Sequence, residues 1–343
     1  MNRILVIRGG AIGDFILTLP ALKALRDAHP CAHIEILGYK HIAALAENRF
    51  YAQTVRSIEY GPLSSFFTKD SELPAELVSY FASFDLIISY LFDPDGIFET
   101  NLRRCGARRI LNGPAKPARV DEPGGESINT KHAARQLARP IEELGLGVED
   151  FSAKLYPSSE DRHFAEKLLG NLHPPSPSSP RDESVRLADR TGIVAFHPGS
   201  GSESKNWPTQ NWIDLGNRLL ASGDFHGSIV IVSGEADEDQ IRQLEPIWGN
   251  ARVAFAKNLP LPHLAAVLEH TIFIGHDSGI SHLAAAAGAN CILLFGPSDP
   301  AIWAPIGENV RVLRVPNGDL CRLDVDLVQD ALDQELMRIG IST

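Results

Sequence analysis

A glycine-rich turn near the start of the chain carries an aspartate that could act as a general base. The turn covers residues 8–14, RGGAIGD, between an apolar run at 4–7 and a helix-periodic stretch at 15–25. This pattern predicts a buried parallel strand, a turn and a helix, the place where open α/β sheets bind ligands. Asp14 would lie at the helix N-terminus, where the helix dipole favours an ionised carboxylate. The alternative is that Asp14 only caps its helix.

The glycines of this turn do not complete the dinucleotide-binding pattern GxGxxG. That pattern would require glycine at positions 8, 10 and 13, and position 8 is Arg8. Asp14 also occupies the helix N-terminus at which a pyrophosphate would be held. These two features disfavour a dinucleotide-dependent oxidoreductase, and an ionised carboxylate here can instead take a proton from a substrate hydroxyl.

In the second half of the chain, residues of phosphate-binding and reactive types follow the predicted strands 192–197, 228–233 and 271–275. They are Ser200, Ser202, Lys205, Glu235, Asp277, Ser278, Gly279 and His282. The carboxyl ends of parallel strands share one sheet edge, so these residues could line one crevice. Hydroxyls, helix-start N–H groups and a lysine suit a diphosphate, and an acid can accept two ribose hydroxyls. Taken alone, each turn could equally be an ordinary strand–helix connection.

A basic cluster lies between residues 99 and 119, where Glu99 is the only acid. The cluster consists of Arg103, Arg104, Arg108, Arg109, Lys116 and Arg119. Arginine grips phosphate with two N–H groups, so the cluster could bind a phosphorylated or otherwise anionic acceptor. The alternative is a solvated surface. A basic cluster also raises the hypothesis of contact with a membrane surface.

The length and net charge of the chain limit the functions that it can have. The chain has 343 residues with 44% hydrophobic and 22% charged, which predicts about two globular domains. Residues 1–150 hold 17 Lys and Arg against 19 Asp and Glu, whereas residues 151–343 hold 15 against 24, and the whole chain has a net charge of −11. Such an acidic protein is not expected to bind nucleic acid generally. The first half is the better place for an anionic partner.

Other sequence features indicate a cytoplasmic protein without a metal site. The four cysteines are far apart and form no CxxC pair, so neither a zinc site nor a disulfide framework is predicted. The apolar run at 4–7 is too short for a signal peptide, and no run reaches the length of a membrane span. The acidic pair of Asp93 and Asp95 flanks a proline, which favours a turn over metal binding.

The order of the predicted elements indicates two α/β domains in tandem. Predicted strands cover 4–7, 33–38, 55–60, 85–90, 192–197, 228–233, 271–275 and 291–295. Strands that alternate with helices predict mainly parallel sheets. We place a first domain at 1–170, a Pro/Ser-rich linker or insertion at 171–190, a second domain at 191–322 and a closing helix at 323–343.

Four motifs together resemble those of the bacterial heptosyltransferases, glycosyltransferase family nine. The motifs are GDFILTLPAL at 13–22, HPGS through KNWP at 197–208, DSGISHLAAA at 277–286 and FGPSDP at 295–300. They occur in the family's order, and the span from the first motif to the last, residues 13–300, covers most of the chain. The stretch 60–130 matches no motif of the family, and the contacts to the acceptor would lie there.

The resemblance implies a GT-B fold, in which two Rossmann-like domains face each other across a cleft. It further implies an inverting, metal-independent transferase that needs no cofactor and moves a sugar, commonly heptose from ADP-heptose, onto a lipid A–core acceptor at the inner membrane. Asp14 matches the family's general base, Lys205 its diphosphate-binding lysine, Glu235 its ribose-binding acid and Asp277 its donor-sugar site. Gly13 and the arginines of the basic cluster are expected to bind the acceptor.

Two alternatives to this interpretation stay open. The same fold could use another nucleotide-sugar or another glycan acceptor, since family resemblance does not fix the sugar. A protein of the same fold could also bind a nucleotide-sugar without catalysis. The presence of both Asp14 and Lys205 argues against simple binding, because a binding protein has no need of a general base.

Overall fold

The computed structural model describes residues 1–117, 132–170, 172, 192–249 and 252–341. Arg119 and nearly all of the linker predicted at 171–190 lie outside the described residues. The chain divides into two compact units, Met1–Tyr156 and Pro157–Thr343.

In its described part, the first unit is a parallel sheet with the strand order β3-β2-β1-β4-β5. Its strands are β1 (Arg3–Arg8), β2 (His33–Gly38), β3 (Thr54–Ser57), β4 (Leu86–Ser89) and β5 (Ile110–Asn112). Its helices are α1 (Ile12–Ala28), α2 (Lys40–Ala43), α3 (Ala75–Ala82), α4 (Ile97–Arg104), α5 (Ala133–Leu137) and α6 (Arg139–Glu142), with a 3-10 segment at Gly61–Phe67. The apolar run at 4–7 is completely buried in β1, as its composition predicts. The chain turns from one side of β1 to the other between β3 and β4, so the ends of β1 and β4 flank the topological switch point.

The second unit is also a parallel sheet, with the strand order β11-β10-β9-β6-β7-β8 among its described residues. Its strands are β6 (Ile193–His197), β7 (Ser228–Ser233), β8 (Val253–Lys257), β9 (Ile272–His276), β10 (Asn290–Phe295) and β11 (Val310–Arg314). Its helices are α7 (Ser159–Gly170), α8 (Thr209–Ala221), α9 (Glu238–Trp248), α10 (Leu261–Leu268), α11 (Gly279–Ala287), α12 (Pro300–Trp303) and α13 (Val325–Arg338). Here the switch point lies between β6 and β9. Two parallel α/β sheets confirm the predicted fold class.

The boundary between the units differs from the predicted one at residue 170. Helix α7 belongs to the second unit, where it packs against α10. Phe164 stacks on His263 with ring centroids 4.2 Å apart, and Arg162 donates two hydrogen bonds to Glu269 at 2.8 and 2.9 Å. The segment 323–343, predicted as a separate closing helix, contributes α13 to the core of the same unit through Val328 and its neighbours.

Candidate active site

The Asp14 carboxylate is held at the carboxyl end of β1, at the switch point of the first sheet. Asp14 lies in the first turn of α1, and its Oδ2 accepts a hydrogen bond from the backbone N–H of Ala11 at 3.0 Å. The side chain keeps 19% of its surface exposed. Asp14 therefore caps its helix and still presents an oxygen to solvent, so the two predicted roles are compatible.

Arg8 occupies the position of the first glycine in a dinucleotide motif, and its side chain holds the turn of residues 8–14 in place. Its guanidinium is buried and donates to the carbonyl of Asp14 at 3.0 Å, to Thr18 Oγ1 at 3.1 Å and to the carbonyl of Ala115 at 2.9 Å. Its NH2 also lies 3.7 Å from Asp14 Oδ1. Burial lowers the pKa of Arg8, and the charge of Asp14 opposes that shift.

Gly10 makes room for the Asp14 carboxylate. Its φ is +93°, a conformation that side chains rarely adopt, and a Cβ at this position would lie 2.7 Å from Asp14 Oδ2. The glycine is thus required both by the turn and by the carboxylate beside it.

In the second unit, the residues predicted to bind the donor lie around the switch point between β6 and β9. The Lys205 ammonium, which follows β6, donates to Asp277 Oδ2 at 2.6 Å, and Asp277 follows β9 directly. Lys205 is about one-third exposed, whereas Asp277 is largely covered. The next helix, α11, begins at Gly279, so its free N–H groups and positive dipole end lie in the chain beside this pair.

The serines are engaged mainly within their own turns. Ser200 Oγ donates to the carbonyl of Ser202 at 2.9 Å or to Asn206 Oδ1 at 2.6 Å, and Ser202 Oγ lies 3.1 Å from Ser204 Oγ. Ser278 is the N-cap of α11 and accepts from the N–H of Ser281 at 3.3 Å. These contacts shape the turns, and a ligand diphosphate would compete with them for the hydroxyls.

Glu235 and His282 differ in exposure. Glu235 follows β7 in the 3-10 turn Glu235–Asp237 and is exposed, which suits an acid that accepts ribose hydroxyls. His282 is buried one helical turn beyond Ser278. Its burial makes it a less accessible contact for the donor than Lys205.

A buried contact between His197 and Asp237, which the sequence did not indicate, lies beside these turns. His197 Nε2, at the end of β6, is 3.3 Å from Asp237 Oδ2, and Asp237 also accepts from the N–H of Gly234 at 2.8 Å. Burial opposes ionisation of Asp237, but the hydrogen bond and charge of His197 outweigh it, so the pKa of Asp237 lies below its ordinary value. A Cβ on Gly199 would collide with the same carboxylate.

His276 is a second buried residue that the sequence analysis missed. Its Nε2 accepts a hydrogen bond from the backbone N–H of Trp207 at 2.8 Å, and its Nδ1 lies 3.3 Å from the carbonyl of Gly199. Complete burial lowers the pKa of His276 to about 3, so the ring is neutral. His276 therefore joins β9 to both ends of the turn that carries Lys205.

Two arginines of the basic cluster, Arg108 and Arg109, lie at the edge of the first sheet opposite Asp14. Arg108 donates to Asp85 Oδ1 at 2.7 Å, and Asp85 Oδ2 accepts from the N–H of Asn2, just before β1. Since β1 rises about 3.3 Å per residue over six residues, this edge is about 20 Å from the Asp14 edge. Arg109 precedes β5 at the same far edge, and the last-turn residues of α4, Arg103 and Arg104, bind Glu99, Asn101 and Ser71. Arg108 and Arg109 therefore lie at the opposite edge of the sheet from Asp14, whereas Lys116 directly follows Ala115, whose carbonyl accepts from Arg8 at 2.9 Å.

A pocket of about 380 Å³ opens at the carboxyl ends of β2 and β3, the edge that Asp14 shares. Its polar lining consists of Lys40, Arg56, Ser57, Tyr60, Glu76 and Tyr80. Tyr60 donates from its hydroxyl to Glu76 at 2.7 Å, while its ring stays 47% exposed. Lys40 is exposed and forms no ion pair with the described residues. Exposed aromatic rings also follow β2 and β4, at Tyr39 and Phe92.

The described residues contain no group of three His, Cys, Asp or Glu side chains arranged to hold a metal ion. None of their helices has the length and apolar character needed to cross a membrane.

Comparison with known sequences points to one family. The profile of Glycosyltransferase family 9 (heptosyltransferase) matches residues 132–327. The chain is 30% identical to Lipopolysaccharide heptosyltransferase 1 of Escherichia coli O18:K1:H7 over 340 residues, 97% of each protein. It is 31% identical to the protein of the same name from Escherichia coli K12 over 338 residues, which is 96% of this chain and 99% of that protein.

Solved structures have the same fold. The glycosyl transferase family 9 protein from Veillonella parvula superposes with a TM-score of 0.72 at 20% identity, over 98% of this chain and 97% of that one. The E. coli heptosyltransferase WaaC with ADP gives 0.67 at 20% identity, over 97% and 99%. Such similarity establishes the GT-B fold predicted from the motifs.

Proposed function

This chain belongs to glycosyltransferase family 9, the heptosyltransferases, and from that premise we propose that it transfers heptose from ADP-heptose to the core of a lipopolysaccharide acceptor. Family membership makes the chain a glycosyltransferase. The donor and acceptor come from the names of its relatives, since the two similar E. coli proteins are lipopolysaccharide heptosyltransferases and WaaC was solved with ADP.

The observation that carries the donor side is the contact of Lys205 with Asp277 at the switch point of the second sheet. Lys205 supplies a cation for the diphosphate, and the N-terminus of α11 supplies N–H donors beside it. Asp277 is free to accept from sugar hydroxyls once Lys205 turns to the phosphates. Exposed Glu235, after the neighbouring strand β7, accepts the ribose hydroxyls.

In the proposed reaction, Asp14 takes the proton of an acceptor hydroxyl while that oxygen attacks C1 of the heptose. The new C1–O bond forms on the face opposite the nucleotide, and the bond from C1 to the diphosphate oxygen breaks. The configuration at C1 inverts and ADP leaves. Lys205 and the N-terminus of α11 stabilise the negative charge that develops on the diphosphate, so no metal ion is required.

For the acceptor, we propose a site at the carboxyl edge of the first sheet rather than at the arginines. The pocket beside β2 and β3 offers an exposed Tyr60 ring, the Glu76 carboxylate and the Lys40 cation. Aromatic faces, hydroxyl-binding carboxylates and a cation suit a sugar that carries an anionic group. Gly38, two residues before Lys40, pairs with Arg8 across strands about 4.8 Å apart, so the pocket lies near the turn of Asp14. Gly13 belongs to that turn and stays a predicted acceptor contact.

We further propose that the protein acts in the cytoplasm, at the inner membrane that holds its lipid-linked acceptor. Membrane contact through the basic cluster is a separate hypothesis. Pelleting with anionic liposomes tests it, because replacement of Arg103, Arg104, Arg108 and Arg109 by Ser would abolish binding that depends on them.

Two variants test the two halves of the proposed reaction. Asp14→Asn should lower kcat about 10²- to 10⁴-fold and leave ADP affinity unchanged, because it removes only the base. Lys205→Ala should weaken ADP binding by about 1.5–3 kcal/mol in calorimetry, with EDTA present. Asp27→Asn, at the far end of α1, is the control for the first variant. An Asp14→Asn enzyme with full activity would refute the base, and tighter binding of UDP or GDP than of ADP would refute the ADP-heptose donor.

A further inference from the structure

His276 contacts both ends of the exposed segment that carries the donor-site lysine. The segment runs from residue 200 to 206 and is exposed or half-buried, whereas Gly199 before it and Trp207 after it are buried. The His276 ring lies between these two anchors, 2.8 Å from the Trp207 nitrogen and 3.3 Å from the Gly199 oxygen. Trp212 packs edge-on against the ring, with centroids 5.4 Å apart. One side chain on β9 thus fixes the span of a turn that follows β6.

The chemistry of the ring allows a single arrangement of these hydrogen bonds. A neutral imidazole has one N–H donor and one acceptor. The Trp207 backbone can only donate, so Nε2 accepts from it. The proton therefore lies on Nδ1, which donates to the carbonyl of Gly199. An apolar residue of similar size would leave a buried N–H and a buried carbonyl without partners, and the turn would have to open to hydrate them.

We propose that His276 is a positioning residue of the donor site, which sets the geometry of the 199–207 turn so that Lys205 meets the donor diphosphate. The next residue, Asp277, contacts the Lys205 ammonium at 2.6 Å, so consecutive residues of one strand end hold the turn by its backbone and by its lysine. The inference rests on the proposed donor site, because it concerns how Lys205 is presented to the diphosphate. His276 itself touches neither the sugar nor the phosphates in this scheme.

A double-mutant cycle on ADP affinity tests the proposal. ADP is titrated calorimetrically into wild type, His276→Phe, Lys205→Ala and the double variant. If His276 acts through Lys205, His276→Phe weakens ADP binding about tenfold, and the double variant binds no more weakly than Lys205→Ala alone. His276→Gln, which can still accept from Trp207, recovers part of the affinity. His226→Phe is the matched control, since His226 is exposed and precedes β7 at the opposite edge of the sheet.

Hydrogen exchange of the peptide 199–207 gives a second readout that does not require a ligand. His276→Phe should speed exchange of the Trp207 amide, and His226→Phe should not. Independent, additive losses in the cycle, or unchanged exchange in His276→Phe, would overturn the proposal. If wild type binds no nucleoside diphosphate, the proposed function fails, and the exchange result alone decides whether His276 holds the turn. Should His276→Phe not fold, His276→Leu, which also lacks both hydrogen-bonding groups, takes its place in the same comparisons.

Discussion

At the scale of single residues, the space around Gly10 decides where the Asp14 carboxylate can lie. With φ at +93° and an added Cβ only 2.7 Å from Asp14 Oδ2, Gly10→Ala must move the carboxylate. We expect steady-state kcat to fall about 10- to 100-fold, because small displacements of a reacting group are costly, while ADP affinity in calorimetry stays the same. Gly9→Ala is the matched control, since its Cβ meets Leu91 at an ordinary 3.5 Å. Equal kcat values for the two variants would contradict the argument.

The pair of His197 and Asp237 predicts how stability responds to acid. Because the folded-state pKa of Asp237 lies below its ordinary 3.8, its ionised form stabilises the fold above that value, and this contribution is lost as pH falls through the lower folded pKa. We expect Asp237→Asn to be less stable by about 1–3 kcal/mol at pH 7. The difference should shrink only below about pH 4.

Urea unfolding at pH 7, 5 and 3.5 measures this difference. Asp239→Asn is the control, because that carboxylate is 83% exposed in its contact with Arg242 and should change stability by less than about 0.5 kcal/mol. An Asp237→Asn variant as stable as wild type at pH 7 and 5 would show that the ionised carboxylate does not stabilise the fold.

The same residues show how far sequence reasoning reaches. Asp14, Lys205 and Asp277 are predicted as candidates because an ionisable residue after an apolar strand is visible in the local sequence. His276 is not, because its partners are 69 and 77 positions away along the chain. Asp237 was passed over in favour of Glu235, although it is Asp237 that turns inward. Which of two nearby acids is buried depends on packing, which no local pattern encodes.

At the scale of elements, Lys40 and Arg108 lie at opposite edges of the first sheet. Lys40 follows β2 at the edge of Asp14, whereas Arg108 contacts Asp85 at the other edge. We expect Lys40→Met to raise the KM for an anionic acceptor about tenfold, with the KM for ADP-heptose unchanged, because a charge-assisted contact is lost. Arg108→Met is the matched control and should change neither. A raised acceptor KM in Arg108→Met alone would restore the predicted role of the basic cluster.

Three strands escaped the sequence analysis, and all three are edge strands. β5, β8 and β11 each pair on one side only, and most of their residues keep part of their surface exposed. They therefore lack the continuous apolar run that marks strands buried on both faces. The central strands β1, β6, β9 and β10 have that run and were predicted. The candidate site residues Asp14, Lys205 and Asp277 follow central strands. They could therefore be proposed from the sequence although these three edge strands were not predicted.

At the scale of the whole molecule, the two-domain organisation was predictable, whereas the boundary was not. A Pro/Ser-rich composition drew the predicted boundary to residue 170. Helix α7 precedes that stretch, yet its Arg162 binds Glu269, 107 positions further along, so it packs with the second unit. Composition shows where a chain has few residues suited to a core. The domain to which a helix belongs depends on its tertiary contacts, which composition does not show.

The division of the chain into two units makes tryptophan fluorescence a signal for donor binding to the second unit. All four tryptophans, Trp207, Trp212, Trp248 and Trp303, belong to the second unit, so tryptophan fluorescence reports on the unfolding of the unit that carries the proposed donor site. A ligand that binds only the folded state at a hundred times its Kd stabilises that state by about 2.7 kcal/mol. We expect ADP at that concentration to raise the fluorescence-detected urea midpoint correspondingly, with EDTA present, because Lys205 and α11 supply the positive charge.

Lys205→Ala at the same ADP concentration should lose most of this shift, and NAD⁺ is the control ligand, because its diphosphate joins two nucleosides. Circular dichroism at 222 nm, which reports on helices in both units, should show a smaller average shift if the units unfold separately. A shift that disappears with EDTA would mean that a metal ion contributes to nucleotide binding. A shift with NAD⁺ as large as that with ADP would contradict the prediction, because the site would then not distinguish a nucleoside diphosphate from a dinucleotide.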